Sequence, residues 1–397
     1  MDRLPVELLR AIRAPIVGLA LAIAGWAIVA AVLAGQAAKP DGQFGIDFAD
    51  YHAAAVRMAA GDSPYAPAML DGPIPSQGTD RYRYPPPFAA LLIPLAGLPL
   101  GTATVAWLAI QVATLGAALV LAAGRTGGWS GLVWPAALAG WWFPVIDALL
   151  KGNVDGPITL AAAVLAVGAP AAGAVATSAG TVLKLTPVAG LVPLARRAPR
   201  SLAWAAVAAA VFIVPTLVIW PQAWADYAVV LPNLVAGSAD SPGGLAPAAL
   251  LASSGGAASG LAPLARWATL GLAAVAVVAS WWLVGPKPGP AGSAAGPGTP
   301  DRRWLAAVLL TVVVGLIVPP AIWYHYLCVL LPFVVLAWPL ADGRIRALLL
   351  LGVVLVDLGL VAIWIATVGA TVVVLALLAV WIPRHADRVA GGSTAAA

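Results

Sequence analysis

Continuous apolar runs separated by short polar breaks fill almost the whole chain. The runs do not alternate apolar with polar, and many extend for about 20 residues, the length of a spanning helix rather than of a barrel strand. The first is 15–35, preceded by Arg3, Arg10 and Arg13, which puts the N-terminus in the cytoplasm. Residues 36–87 then form a large first extracytoplasmic loop. The run 88–123 is too long for one span, and its Pro-rich part before Gly101 is expected to lie at the interface or re-enter. Helix 3 is expected over 131–150, a turn at 151–157, and helix 4 over 157–169. A single span over 171–194 would strand Arg196, Arg197 and Arg200 outside. "KLTP" (184–187) breaks that run at Pro187, so two half-helices are expected, in and back, with Lys184 at the tip beside a cavity.

The remainder alternates in the same way. Helices are expected at 201–220, 261–284 and 304–320, followed by one that ends near 341, and 346–382 holds two spans meeting near Val368. Residues 221–260 form a second extracytoplasmic loop, and the Pro/Gly-rich stretch 285–303 a flexible cytoplasmic linker. Arg384 and Arg388 put the C-terminus in the cytoplasm. The expected architecture is all-α: one integral membrane domain over 1–397, a polytopic transmembrane bundle of about ten spans plus a re-entrant pair.

Composition supports this class. The chain is 62% hydrophobic and 9% charged, whereas soluble domains carry about 25% charged residues. Its net charge of +5 fits basic cytoplasmic loops, and no nucleic-acid partner is expected. The single cysteine, Cys328, excludes an internal disulfide framework and is expected to pack in the core. The run 15–35 exceeds a signal-peptide core of about 7–15 residues and is expected to be retained. There is no Walker loop, no GxGxxG after a strand and no HExxH. A site on the outer face has no access to cytoplasmic ATP or nucleotide sugars, whereas a lipid-linked donor would reach it.

The conspicuous polar residues all map to that outer face. "DFADYHAAAVRMAAG" reads as a short helix over 47–60 that ends before Gly61, with Asp47, Asp50 and Tyr51 on one side. A carboxylate held beside an aromatic and a cavity can act as a general base; alternatively, both aspartates favour the helix N-terminus. Arg57, Arg81, Arg83, Lys151 and Lys184 are cations on the side the inside bias disfavours. They suit an anionic ligand such as a phosphate, or else pair with Asp62, Asp71, Asp80 or lipid headgroups. Asn153 lies at the turn 151–157, and Trp323, Tyr324 and His325 at the last major outer turn. There an aromatic belt explains Trp323 and Tyr324 as well as a site does.

"GIDFADYHAAAVRMAAGDSPYAP" and "YRYPPPFAALLIPLAGLP" resemble the N-terminal signature of glycosyltransferase family 87. "KGNVDGP", "LKLTP" and "WYHYLCVLLPF" are similar to three later motifs of that family, in the same order. Lys151-Gly152-Asn153 departs from the usual Gly-Gln-x-Asn turn, and the second loop lacks the Asn-Gln-Ser of many members. The resemblance implies a GT-C-like fold and an α-mannosyltransferase using polyprenyl-phosphate mannose. It implies Asp47 as catalytic base, Tyr51 lining the site, and Lys184 and His325 contacting the donor. The implied partners are a polyprenyl-phosphate sugar donor, a glycolipid or glycan acceptor, and membrane lipids of the plasma membrane. No cofactor is implied, and a divalent metal is permitted but not required. Polyprenyl-phosphate arabinose is the rival donor. A transporter or flippase of a lipid-linked sugar, or a non-catalytic scaffold, is the rival class.

Overall fold

A computed structural model describes residues 4–75, 78, 80–126, 130–237, 244–285, 301–319 and 322–382. Among them the chain is all helical, with no strand. The first helices are α1 (Leu4–Ala37), α2 (Ile46–Ala59), α3 (Pro86–Ala96), α4 (Leu100–Ala123), α5 (Ser130–Trp141) and α6 (Phe143–Lys151). Then come α7 (Asp155–Val167), α8 (Pro170–Leu183), α9 (Leu191–Arg197), α10 (Ser201–Ile219), α11 (Pro221–Gly237) and α12 (Pro247–Ser253). The last are α13 (Gly256–Ser259), α14 (Ala262–Leu283), α15 (Arg302–Ile317), α16 (Leu331–Ala337), α17 (Gly343–Leu358) and α18 (Ile363–Trp381). Most of the expected linker 285–303, together with Arg3, Arg384 and Arg388, lies outside the described residues.

Among the described residues, five helices are long and apolar enough to cross a membrane: Pro15–Ala37 of α1, then α4, α10, α14 and α18. Counting α5 and α6 together as one bent span raises this to six, against about ten expected from run lengths. The apolar runs are longer than the helices they make. α7 has 13 residues, which rise only about 20 Å at 1.5 Å each. The expected helix 3 over 131–150 is two helices bent by 67°. Pro144 at the start of α6 and the extended Trp142 break it there. The free N–H of Phe143 is capped from a distant helix, donating to Asp357 Oδ1 of α17 at 2.9 Å. The joint between the last two helices lies at 359–362 instead of near Val368.

The break at 184–187 is present, and the chain doubles back there. Lys184 is extended, and a 3-10 turn over Thr186–Gly190 follows. Gly180 packs against Pro187, and Gly190 packs against Thr177. The returning arm ends beside the start of the outgoing one. Arg197 pairs with Asp301 at 2.7 Å and lies over the Trp304 ring. Trp304 Nε1 donates to the carbonyls of Leu165 and Ala166 at the end of α7, and Arg125 reaches Val167 O at 2.6 Å. These basic residues therefore gather at one end of α7, while Asp155 begins its other end.

At the Asp155 end, the segment between α2 and α3 folds over the bundle. Trp220 at the end of α10 donates to Met58 O, and Asn233 of α11 donates to Met69 O. Phe48, Tyr51, Tyr65, Tyr82, Phe88 and Trp107 form a buried aromatic wall under this segment. Its rings pack in both edge-to-face and stacked pairs, such as Tyr51 on Phe88 at 5.0 Å and Phe48 on Trp107 at 5.7 Å.

Candidate functional site

α2 begins where its backbone fits the turn after α6. Gly45 caps α2 in the left-handed region at φ 73°, and its N–H donates to Leu150 O at 2.7 Å. Gly152 ends α6 with φ 69°, a conformation that costs glycine nothing. Its Cα faces the Cβ of Phe48, so the first turn of α2 lies directly on the 151–154 turn. Trp107 Nε1 holds the Gly152 carbonyl at 2.7 Å. Gln111 of α4 donates to Asn153 O and accepts from Gly156 N–H. The turn is thus clamped to α4 from below.

On this base Asn153 donates from Nδ2 to Asp47 Oδ2 at 2.7 Å. The Asn153 side chain is itself fixed, because its Oδ1 accepts the Val154 N–H. Asp47 is partly exposed, and no other hydrogen bond reaches its carboxylate among the described residues. It sits in the first turn of α2 but makes no side-chain cap. Asp50 has a different role, accepting the Asp80 N–H at 2.7 Å and so tying the 60–85 segment to α2. Burial, with the neighbouring Asp47 charge adding to it, pushes the Asp50 carboxyl above its ordinary value against two backbone hydrogen bonds. Tyr51 donates to Tyr84 at 2.9 Å, and burial pushes both hydroxyls up.

A second cluster lies deeper. Lys151 pairs with Asp147 at 3.1 Å. The other Asp147 oxygen is 2.9 Å from His325 Nδ1. Asp155 Oδ1 is 3.5 Å from Lys184 Nζ, and the Lys184 ammonium sits 3.2 Å over the Tyr326 ring. Lys184, Asp155 and Tyr326 form the polar end of a narrow cleft otherwise lined mainly by α7, α8, the 3-10 turn and α15. The two clusters meet at the 151–155 turn, where Asn153 holds Asp47 while Lys151 and Asp155 on either side of it belong to the deeper cluster.

The sequence-predicted residues therefore divide. Asp47, Tyr51 and Asn153 come together in one cluster, and Lys151, Lys184 and His325 in the next. Tyr324 stands at the edge, its ring against Phe143 at 5.3 Å. Arg57 is engaged elsewhere, holding Pro64 O and Asp80. Arg81 and Arg83 both donate to Pro75 O. Asp147, Tyr84, Gln111 and Tyr326 were not singled out from the sequence. Asp147 was visible there as a lone carboxylate within an apolar run, four residues before Lys151. Among the described residues, no three His, Cys, Asp or Glu side chains gather as a metal site.

The family model of glycosyltransferase family 87 matches residues 82–295, more than half of the chain. The match takes in "YRYPPPF", the Asn153 turn and Lys184, while Asp47 and His325 lie beyond its two ends. No curated protein and no solved structure matches.

Proposed function

From a chain that belongs to glycosyltransferase family 87, and so is a glycosyltransferase, we propose a membrane enzyme that moves mannose from a polyprenyl-phosphate donor to a glycolipid or glycan acceptor. Asp47 acts as general base, and the anomeric centre inverts. The observation that carries this reading is the 151–155 turn, which sets the partly exposed Asp47 carboxylate, held by Asn153, next to the Asp155–Lys184 pair that lines the cleft.

The donor phosphate docks against Lys184, and its prenyl chain starts in the apolar cleft and continues into lipid. Asn153 fixes one Asp47 oxygen and leaves the other for the acceptor hydroxyl. As Asp47 takes that proton, the acceptor oxygen bonds to the anomeric carbon on the face opposite the phosphate. The bond from that carbon to the phosphate oxygen breaks. One base and no covalent intermediate give inversion, by the logic that separates the two glycosidase classes. Lys184 balances the charge on the departing phosphate, so the step needs no dedicated metal. Arg125 and Arg197 at the opposite end of α7 fit a cytoplasmic face there, which turns the site outward.

The test is transfer by the purified chain in lipid nanodiscs, using radiolabelled polyprenyl-phosphate mannose and, in parallel, polyprenyl-phosphate arabinose. A crude lipid extract supplies the acceptor. Labelled glycolipid from the mannose donor is expected. Transfer from arabinose alone would overturn the sugar assignment, and transfer from neither would overturn the donor class.

A further inference from the structure

The buried cluster is incompletely satisfied, and the gap is at one place. Asp147 is held from both sides, by Lys151 at 3.1 Å and by His325 Nδ1 at 2.9 Å. Asp155 is held only from one side, by Lys184 at 3.5 Å. Among the described residues its Oδ2 has no hydrogen-bond partner, and neither has His325 Nε2, although the two atoms face each other at 3.9 Å. Both residues are enclosed, Asp155 being 4% exposed and His325 3%. Polar atoms buried this deeply rarely lack partners. With Nδ1–H donated to Asp147, a neutral imidazole presents Nε2 as an acceptor, facing a second acceptor. The contact becomes cohesive only when a proton lies between them.

We propose that Asp155 is an exchange carboxylate: it holds Lys184 while the site is empty and turns to His325 when a phosphate group takes Lys184, so that phosphate binding takes up a proton. The inference rests on the donor reading above. Charge balance drives it. Lys151 and Lys184 match Asp147 and Asp155 in the empty site. A bound phosphodiester adds one negative charge where water is largely excluded, and that excess is costly in a low dielectric. One proton from solvent on Nε2 cancels it and gives Asp155 a donor in place of Lys184. No covalent bond forms or breaks. The Lys184 contact is the one that yields, being longer than the Lys151–Asp147 and His325–Asp147 contacts and the one at the cleft. The Tyr326 ring keeps the ammonium in place meanwhile.

The groups facing His325 are Asp147 of α6, itself paired with Lys151, Asp155 of α7, itself paired with Lys184, and Tyr326, which meets its ring edge to face at 4.9 Å. The test is calorimetric titration of the full chain in nanodiscs with farnesyl methyl phosphate, a diester that does not itself titrate between pH 6 and 9. Buffers of different ionisation enthalpy report the protons taken up. The wild type is expected to take up close to one proton at the upper end of this range. Its affinity then weakens toward about tenfold per pH unit there. Asp155→Asn and His325→Gln are each expected to bind without uptake and with a flat pH dependence. His325→Gln carries the test if Asp155→Asn fails to fold. Proton-neutral binding by the wild type, or unchanged uptake in either folded variant, would overturn the exchange while leaving the donor reading intact. Failure of the wild type to bind the diester would overturn both.

Discussion

Arg57 and Lys184 are both cations beside an aspartate, and the two pairs are built differently. Arg57 reaches Asp80 at 2.8 Å and grips Pro64 O through two nitrogens, at 3.1 and 2.6 Å. Its partner Asp80 is exposed, with 45% of its side chain in contact with solvent. Lys184 is enclosed, sits 3.5 Å from its aspartate, and takes no backbone carbonyl. A fork filled by carbonyls fixes a loop, as Arg81 and Arg83 also do at Pro75. A single ammonium 3.5 Å from its aspartate in a cleft has a counterion but fixes no loop. The same residue class therefore holds a loop through backbone carbonyls in one region and stands over an aromatic ring in a cleft in the other.

Variants can break this division. The largest effect is expected at Asp47: replacement by Asn lowers transfer by about 10²–10⁴-fold, the usual contribution of a general base. Lys184→Gln comes next, with transfer down about 10²–10³-fold, the scale of losing one electrostatic stabiliser. Donor KM rises with it, read by varying the prenyl-phosphate sugar. Arg57→Ala is expected to leave transfer within a few-fold while lowering stability by about 1 kcal/mol, measured as a thermal shift in nanodiscs. A large loss of transfer in that folded variant would put Arg57 back in the site.

The smallest effect concerns Asp50. Its carboxyl is raised by burial, so the protonated form is the one the fold favours. That stabilisation is present below 3.8 and is lost as pH rises through the raised value. Asn at this position still accepts the Asp80 N–H and does not titrate. Wild type should therefore lose stability relative to Asp50→Asn as pH climbs from 3.8 toward neutrality, in paired melting curves. Parallel curves would refute the buried-carboxyl account.

Local signals in the chain were read well where a single residue governs the backbone. The helix expected at 47–60 is Ile46–Ala59, and Gly61 stands just past its end at φ 90°. Pro187 and the apolar flanks of "KLTP" located the point where the chain turns back. Five or six helices among the described residues pass as spans against about ten expected, because hydropathy measures a run and not the helix within it. The helix expected over 157–169 is Asp155–Val167, whose 13 residues are too few for a full span. The bend at Trp142 depends partly on Asp357, a cap supplied 214 positions away, and no local pattern reveals such a partner. For the site, the residue types and their common end were legible. The pairing was not: Asn153 on Asp47 and Asp147 on His325 span 106 and 178 positions. Nor did the outer arginines betray that backbone carbonyls occupy them.

The most direct test of Asp47 as base compares Asp47→Asn with Asp50→Asn in one transfer assay, with both proteins shown to be folded and able to bind the prenyl phosphodiester. The account predicts a loss of at least about 10²-fold for Asp47→Asn and transfer within a few-fold of wild type for Asp50→Asn. Wild-type transfer by a folded Asp47→Asn, or a collapse confined to Asp50→Asn, would contradict it.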